Sequence, residues 1–119
     1  SLPTKIGSLR SLTDLYLSGN SLTGSLPTEI GSLHSLTDLY LYENSLTGSL
    51  PTKIGDLILV NLTFIDIRSN KFTGVFPESI SNAIQIIEFD DDWYDASFCF
   101  SGNNFTGIVP EDSGHYCDY

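Results

Sequence analysis

LTGSLPT, residues 22–28, is repeated without change as residues 46–52. Shorter versions follow as FTGVFP at residues 72–77 and FTGIVP at residues 105–110. The glycines of the four segments lie 24, 26 and 33 residues apart, and a period of this length is typical of a solenoid coil rather than a propeller blade. Each coil of a solenoid buries its apolar residues against the neighbouring coils. The repeat therefore predicts the fold class before any single residue is considered.

The composition indicates one globular domain with an acidic surface. The chain has 119 residues, of which 40% are hydrophobic and only 17% are charged, so it can form a packed core. Its formal net charge of −10 repels phosphate groups and argues against nucleic-acid partners and anionic membrane surfaces. No apolar run approaches the roughly 18 residues of a membrane-spanning helix.

A second pattern precedes each glycine segment. It reads LTDLYLSGNSL at residues 12–22, LTDLYLYENSL at residues 36–46 and LTFIDIRSNKF at residues 62–72. This LxxLxLxxNxL pattern resembles the leucine-rich-repeat family, and the added Thr-Gly-x-hydrophobic-Pro segment resembles its plant-type subclass, which also occurs in algae. The resemblance covers residues 1 to about 110. It implies the C-terminal part of an extracellular domain from a receptor-like or inhibitor-like protein.

The resemblance implies an α/β solenoid, a right-handed superhelix with a parallel concave β-sheet and an irregular convex side of second short strands and helical turns. Residues 1–110 are predicted to form about four coils, with insertions near 57–61 and 81–97, and residues 111–119 a C-terminal cap. In the last coil we place residues 98–103 in the strand phase, which leaves residues 89–95 as an inserted loop. An alternative phase puts Ile84, Ile87 and Phe89 in the strand.

The alternation of Leu15 and Leu17 with Tyr16 predicts a short strand with one buried face. The asparagines that follow each strand are expected to point inward and to hydrogen-bond the backbone of neighbouring coils, and Asn20, Asn44 and Asn70 are expected to be buried. This structural ladder comprises Asn20, Asn44, Asn70 and Asn103. The inward-facing positions are predicted to be Leu9, Leu12, Leu15, Leu17, Leu22, Leu26 and Ile30, and again Leu33, Leu36, Leu39, Leu41, Leu46, Leu50 and Ile54.

The two cysteines, Cys99 and Cys117, are predicted to form a disulfide that closes the last coil. Such a bridge requires an oxidising compartment; buried free thiols in a reducing compartment are the alternative. The sequons at Asn61 and Asn104 are possible N-glycosylation sites and are compatible with secretion. We therefore expect an extracellular or cell-surface protein, with an oxidising organelle lumen as the alternative.

The outward strand positions form rows along the concave sheet and are the predicted ligand-binding surface. Tyrosines flanked by acidic residues and one arginine suit a protein, a peptide or a glycan. Solvated strand residues without a ligand are the alternative interpretation, and Asp14 beside Asp38 is a like-charge pair that needs relief. The predicted site comprises Asp14, Tyr16, Asp38, Tyr40, Tyr42, Phe64, Asp66 and Arg68.

Catalytic and metal-binding patterns are not recognisable. Neither His34 nor His115 can be placed beside a nucleophile, so no enzyme and no cofactor is expected. The acidic stretch 90–95 lacks the spacing of a calcium loop, so no metal is expected. We predict a non-catalytic recognition module. The alternatives are a scaffold subunit of a larger assembly, which would pack through its N-terminal edge and convex side, and ice binding through the threonine rows that include Thr23, Thr47, Thr73 and Thr106.

Overall fold

A computed structural model of the chain describes residues 2–88, 96–114 and 117. It contains seven short strands and two α-helices in these residues. The strands are β1 (Asp14–Tyr16), β2 (Thr23–Ser25), β3 (Asp38–Tyr40), β4 (Ser45–Gly48), β5 (Phe64–Asp66), β6 (Lys71–Phe72) and β7 (Ser97–Cys99). The helices are α1 (Ile54–Val60) and α2 (Glu78–Glu88), and two 3-10 helices cover Thr4–Ser8 and Thr28–Ser32.

The first sheet is parallel and has the order β1-β3-β5-β7. Its register aligns Leu15 with Leu39, Leu39 with Ile65 and Ile65 with Phe98. The strand phase predicted for residues 98–103 is therefore confirmed. The alternative phase is wrong because Ile84 and Ile87 belong to α2. The predicted loop 89–95 lies outside the described residues.

A second parallel sheet, of order β2-β4-β6, forms on the other side of each coil. The second strands predicted at the Thr-Gly segments are present, but β4 and β6 begin two residues earlier in the repeat than β2 does. β4 ends at Gly48 and β6 ends before Thr73. The register is also staggered, because Thr23 pairs with Ser45 and Thr47 pairs with Lys71. Equivalent threonines of successive coils are thus not hydrogen-bonded neighbours.

The predicted helical turns follow the second strands, and the insertions lengthen them. The uninterrupted coils have 3-10 turns of five residues, whereas the coil with two extra residues forms α1 and the next forms the eleven-residue α2. α2 packs against α1 at Gly55, where an added Cβ would lie 2.6 Å from the carbonyl oxygen of Ser79. Neither α-helix in the described part of the chain has the length and hydropathy needed to cross a bilayer.

The core is continuous between coils, and its burial depends on having a neighbour on both sides. All seven predicted inward positions of the second coil are buried. In the first coil Leu26 and Ile30 are buried, whereas Leu12, Leu15, Leu17 and Leu22 are only partly buried. Leu9 was predicted to face inward, but it is 52% exposed because no coil packs on that edge in the described chain.

The asparagine ladder links each coil to the one before it. Asn70 Oδ1 accepts from the Leu46 N–H, and its Nδ2 donates to the carbonyls of Leu41 and Ile67. Asn44 and Asn103 bond in the same way to their preceding coils, and Asn44 and Asn70 are buried. The prediction that Asn20 is buried is wrong. It is exposed, and among the described residues its side-chain amide donates to the Ser18 carbonyl of its own coil and not to a preceding one.

The C-terminal segment closes the last coil. The predicted disulfide between Cys99 and Cys117 is confirmed. Ser113 exchanges two backbone hydrogen bonds with Phe98, so the segment pairs antiparallel with β7. The Asp112 carboxylate accepts the N–H groups of Phe100 and Ser101. These bonds satisfy the free edge of the first sheet and protect it from pairing with another chain.

Candidate functional site

The predicted ligand-binding residues lie on the outward face of the first sheet. The register places Asp14 beside Asp38 and Tyr16 beside Tyr40 on neighbouring strands. The rings of Tyr16 and Tyr40 are stacked, with centroids 4.8 Å apart and planes inclined by 8°. The spacing matches the distance between strands, so the stack is a consequence of placing tyrosine at the same position in successive coils.

The like-charge pair of Asp14 and Asp38 is relieved by hydroxyl donors. The Tyr16 hydroxyl donates to Asp38 Oδ2 at 2.9 Å, and the Thr37 hydroxyl donates to Asp38 Oδ1 at 2.7 Å. The Thr13 hydroxyl donates to Asp14 at 3.3 Å. Each carboxylate therefore accepts from a neighbouring hydroxyl, and these hydrogen bonds compensate part of the repulsion.

We expect the Tyr16 phenol to titrate at an unusually high pH. Its hydrogen bond to the Asp38 carboxylate, with smaller contributions from desolvation and from the charges of Asp38 and Asp14, raises the pKa of Tyr16 from 10.0 to about 12. Because the raised pKa belongs to the folded protein, the stabilising contribution is complete below pH 10.0 and is lost as the pH rises from 10.0 to about 12. NMR titration of the tyrosine ring carbons measures this pKa.

The matched control is Asp38→Asn, which removes the charge but keeps the size of the side chain. In this variant the pKa of Tyr16 should move back towards its ordinary value. An unchanged pKa in the variant would contradict the assignment of the shift to Asp38.

Two recesses open beside the stacked rings. One has a volume of about 290 Å³ and is lined by Tyr16, Ser18, Tyr40 and Tyr42; we call it the tyrosine recess. The other has a volume of about 490 Å³ and is lined by Tyr42, Glu43, Arg68 and Ser69. Tyr42 borders both recesses, so the two recesses adjoin at this residue and together involve the first three coils.

The third coil differs from the prediction because its charged residues pair with each other. Asp66 was predicted to be part of an exposed surface, but it is only 1% exposed. The Arg68 guanidinium binds it through Nε at 2.9 Å and NH2 at 2.6 Å. The remaining terminal nitrogen, NH1, donates to the Cys117 carbonyl at 2.8 Å. Asp66 and Arg68 therefore hold the C-terminal segment on the sheet, while Phe64 is half-buried.

The fourth coil is covered by the same segment. Ser97 and Cys99 continue the rows of Asp14 and Tyr16, but both are buried. The accessible part of the predicted site is thus concentrated on the first two coils.

The remaining predicted sites lie elsewhere on the surface. Asn61 and Asn104 are exposed, as glycosylation would require. Among residues 2–88, 96–114 and 117, no group of three or more His, Cys, Asp and Glu side chains is arranged to hold a metal ion. The acidic stretch 90–95 and His115 are outside the described residues.

Comparison with known proteins identifies the family. The family description Leucine Rich Repeat matches residues 11–33, 35–57 and 61–83, which together exceed half of the chain. The chain belongs to the leucine-rich-repeat family. No curated protein matches this leucine-rich-repeat chain by sequence.

Solved structures of plant receptors share the leucine-rich-repeat fold with this chain, in agreement with the plant-type pattern. The BIR3–SERK2 complex from Arabidopsis thaliana aligns with a TM-score of 0.72 and 34% identity over 93% of this chain and 53% of that one. The ectodomain of the receptor kinase GASSHO1/SCHENGEN3 from Arabidopsis thaliana, in complex with CASPARIAN STRIP INTEGRITY FACTOR 2, gives 0.75 and 29% over 92% and 12%. The Arabidopsis receptor kinase HAESA with an IDA peptide hormone gives 0.73 and 30% over 92% and 16%.

Sequence reasoning did not identify the left-handed residues that precede each ladder asparagine. Gly19, Glu43, Ser69 and Gly102 all have positive φ angles. Glycine adopts this conformation without strain, and its presence in two of the four coils was the available signal. In the other two coils Glu43 and Ser69 adopt it at the wall of the larger recess, so this wall is built from strained backbone.

Proposed function

We propose that this leucine-rich-repeat protein is a non-catalytic recognition module that binds a peptide or protein segment on the concave face of its first two coils. The observation that carries the proposal is the stacked pair Tyr16–Tyr40 beside the tyrosine recess. Tyrosines combine a flat apolar body with a polar tip and are enriched in binding sites for these reasons.

The similar proteins support a peptide as the ligand. HAESA and GASSHO1/SCHENGEN3 are crystallised with a peptide hormone and with CASPARIAN STRIP INTEGRITY FACTOR 2, and BIR3 is in complex with SERK2. This chain spans between 12% and 53% of those chains, so its ligand and partners are part of our proposal. The disulfide and the ectodomain neighbours support an extracellular or cell-surface location.

A glycan is the second ligand class that the aromatic surface can accept. A sugar ring would pack on the tyrosine rings, and its hydroxyls would bond the carboxylates of Asp14 and Asp38. The two adjoining recesses involve residues from Ser18 to Arg68 on three successive coils, and this length suits an extended polypeptide better than a single sugar. Competition by soluble oligosaccharides against the purified ligand distinguishes the two classes.

A scaffold role is favoured by a different surface. The partly exposed leucines of the first coil and Leu9 form an apolar edge, and large exposed apolar areas usually mark contacts with another element or protein. An assembly that packs on this edge would leave the tyrosine recess free. The ice-binding alternative is not what we propose, because the staggered register pairs Thr23 with Ser45 and Thr47 with Lys71 rather than with threonines.

Tyr40→Ala is expected to lower the affinity for the natural ligand roughly 30-fold, or by about 2 kcal/mol, because aromatic residues at the centre of an interface carry much of the binding energy. The ligand is first identified by mass spectrometry of what co-purifies with the native full-length protein, and affinity is then measured by calorimetry. Leu59→Ala, which truncates an exposed apolar residue on α1, is the control and should leave affinity unchanged.

Hydrogen exchange measured with and without this ligand shows which surface of the protein the ligand contacts. Protection of β1 and β3 supports the concave-face proposal. Protection confined to the first-coil edge or to the convex helices would overturn it in favour of the scaffold role.

A further inference from the structure

The tyrosine recess exists because the first coil carries a small residue where the next two carry large ones. Ser18, Tyr42 and Arg68 occupy the same position in successive coils. In addition, the Tyr16 side chain reaches the Asp38 carboxylate, which lies towards the beginning of the strands and away from Ser18. Both features leave space above Ser18, and the rings of three tyrosines border that space.

The four residues that line the recess are uncharged, and acidic residues adjoin its tyrosines. Asp38 sits at the hydroxyl of Tyr16, Asp14 lies beside it on the neighbouring strand, and Glu43 follows Tyr42. The only basic residue in the strand segments 13–18, 37–42, 63–68 and 96–101 is Arg68, and its charge is compensated by bidentate binding to Asp66. The net charge of the whole chain, −10, has the same sign.

We infer that the tyrosine recess binds the cationic head of an arginine or lysine side chain on a bound peptide. This inference rests on the proposed function and specifies the chemistry of its ligand. A cation near tyrosine rings is attracted by the negative potential of their faces, and guanidinium groups are frequent partners. Donation of the Tyr16 hydroxyl to a carboxylate adds electron density to its ring and strengthens this attraction.

Anionic and neutral side chains fit the recess less well. A carboxylate or phosphate of the ligand would have the same charge as Asp38, which accepts from the Tyr16 hydroxyl, and as Glu43, which follows Tyr42, and like charges repel. A neutral polar side chain of equal size would lose the attraction of both the rings and the carboxylates.

The test uses three blocked glycine pentapeptides that differ only in the central residue, which is arginine, its neutral isostere citrulline, or glutamate. Binding is followed through the ring signals of Tyr16, Tyr40 and Tyr42 in NMR titrations. We expect the arginine peptide to shift these signals and to bind roughly tenfold more tightly than the citrulline peptide. Raising the salt concentration to about 0.5 M should reduce this difference because it screens the charges.

Two variants that each introduce a tyrosine serve as the matched pair. Ser18→Tyr fills the recess with the residue that the second coil carries there, and it should reduce binding of the arginine peptide at least roughly tenfold. Leu59→Tyr places the same side chain at an exposed position of α1, outside the recess, and should bind as the parent does. Circular dichroism melting shows that both variants fold.

Equal binding of the arginine and citrulline peptides would overturn the cation preference while leaving concave-face recognition in place. Unchanged binding by Ser18→Tyr, or no shift of the tyrosine signals with any peptide, would overturn the recess as the site. The proposed function is decided separately, by hydrogen exchange with the co-purified partner, so the two failures are distinguishable.

Discussion

Replacing Cys99 and Cys117 together by serine is expected to lower the free energy of unfolding by about 3 kcal/mol, because the disulfide restricts the unfolded chain over a loop of this size. The bridge joins residues 18 apart and holds the C-terminal segment that pairs with β7. Urea denaturation followed by circular dichroism measures the change. Hydrogen exchange at the Phe98 amide, which donates to the Ser113 carbonyl, should become faster when the segment is released.

The control is a reducing agent. It should destabilise the parent protein by a similar amount and leave the double-serine variant unaffected. Quantitative labelling of both cysteines under denaturing but non-reducing conditions would show that the bridge is absent from the natural protein and would contradict the prediction.

Asn70→Ala is expected to lower the free energy of unfolding by about 3 kcal/mol, because a buried N–H group loses its acceptor and two carbonyls each lose one of their two donors. The Leu46 N–H would lose the Asn70 oxygen, and the carbonyls of Leu41 and Ile67 would keep only their bonds from Asn44 and Asn103. Thermal and urea melting measure the loss.

Asn20→Ala is the matched control at the same position of the first coil. Asn20 is exposed, so its loss should change stability by less than about 0.5 kcal/mol. Equal effects of the two substitutions would falsify the ladder as a source of stability that depends on a preceding coil.

The repeat pattern predicts most of the fold because each coil contains all the signals of its own strand. The period-two alternation around Tyr16 and Tyr40 predicts β1 and β3, and the Thr-Gly segments predict the second strands. Even the phase of β7 follows from the position of Asn103, despite the longer unit that precedes it. Such patterns are local, and local patterns are what a single sequence displays.

The candidate site is less completely predictable because exposure depends on contacts between distant segments. Asp66 occupies the same row as Tyr16 and Tyr40, and nothing in its local pattern indicates burial. It is buried because Arg68 and the C-terminal segment lie over it. The stagger of the second sheet is also not visible in the period, because the register is a property of the pairing between coils.

The sequence by itself determined that this chain is a leucine-rich-repeat solenoid, which strand positions face outward, and which cysteines pair. These properties follow from periodicity, and a repeated pattern leaves few ways to bury its leucines. Only the tertiary structure decided which outward positions form the surface. Tyr16 is 60% exposed and Asp66 is 1% exposed at equivalent positions, because no described segment packs on the outer edge of the first coil, whereas the third coil lies under the disulfide-bonded C-terminal segment.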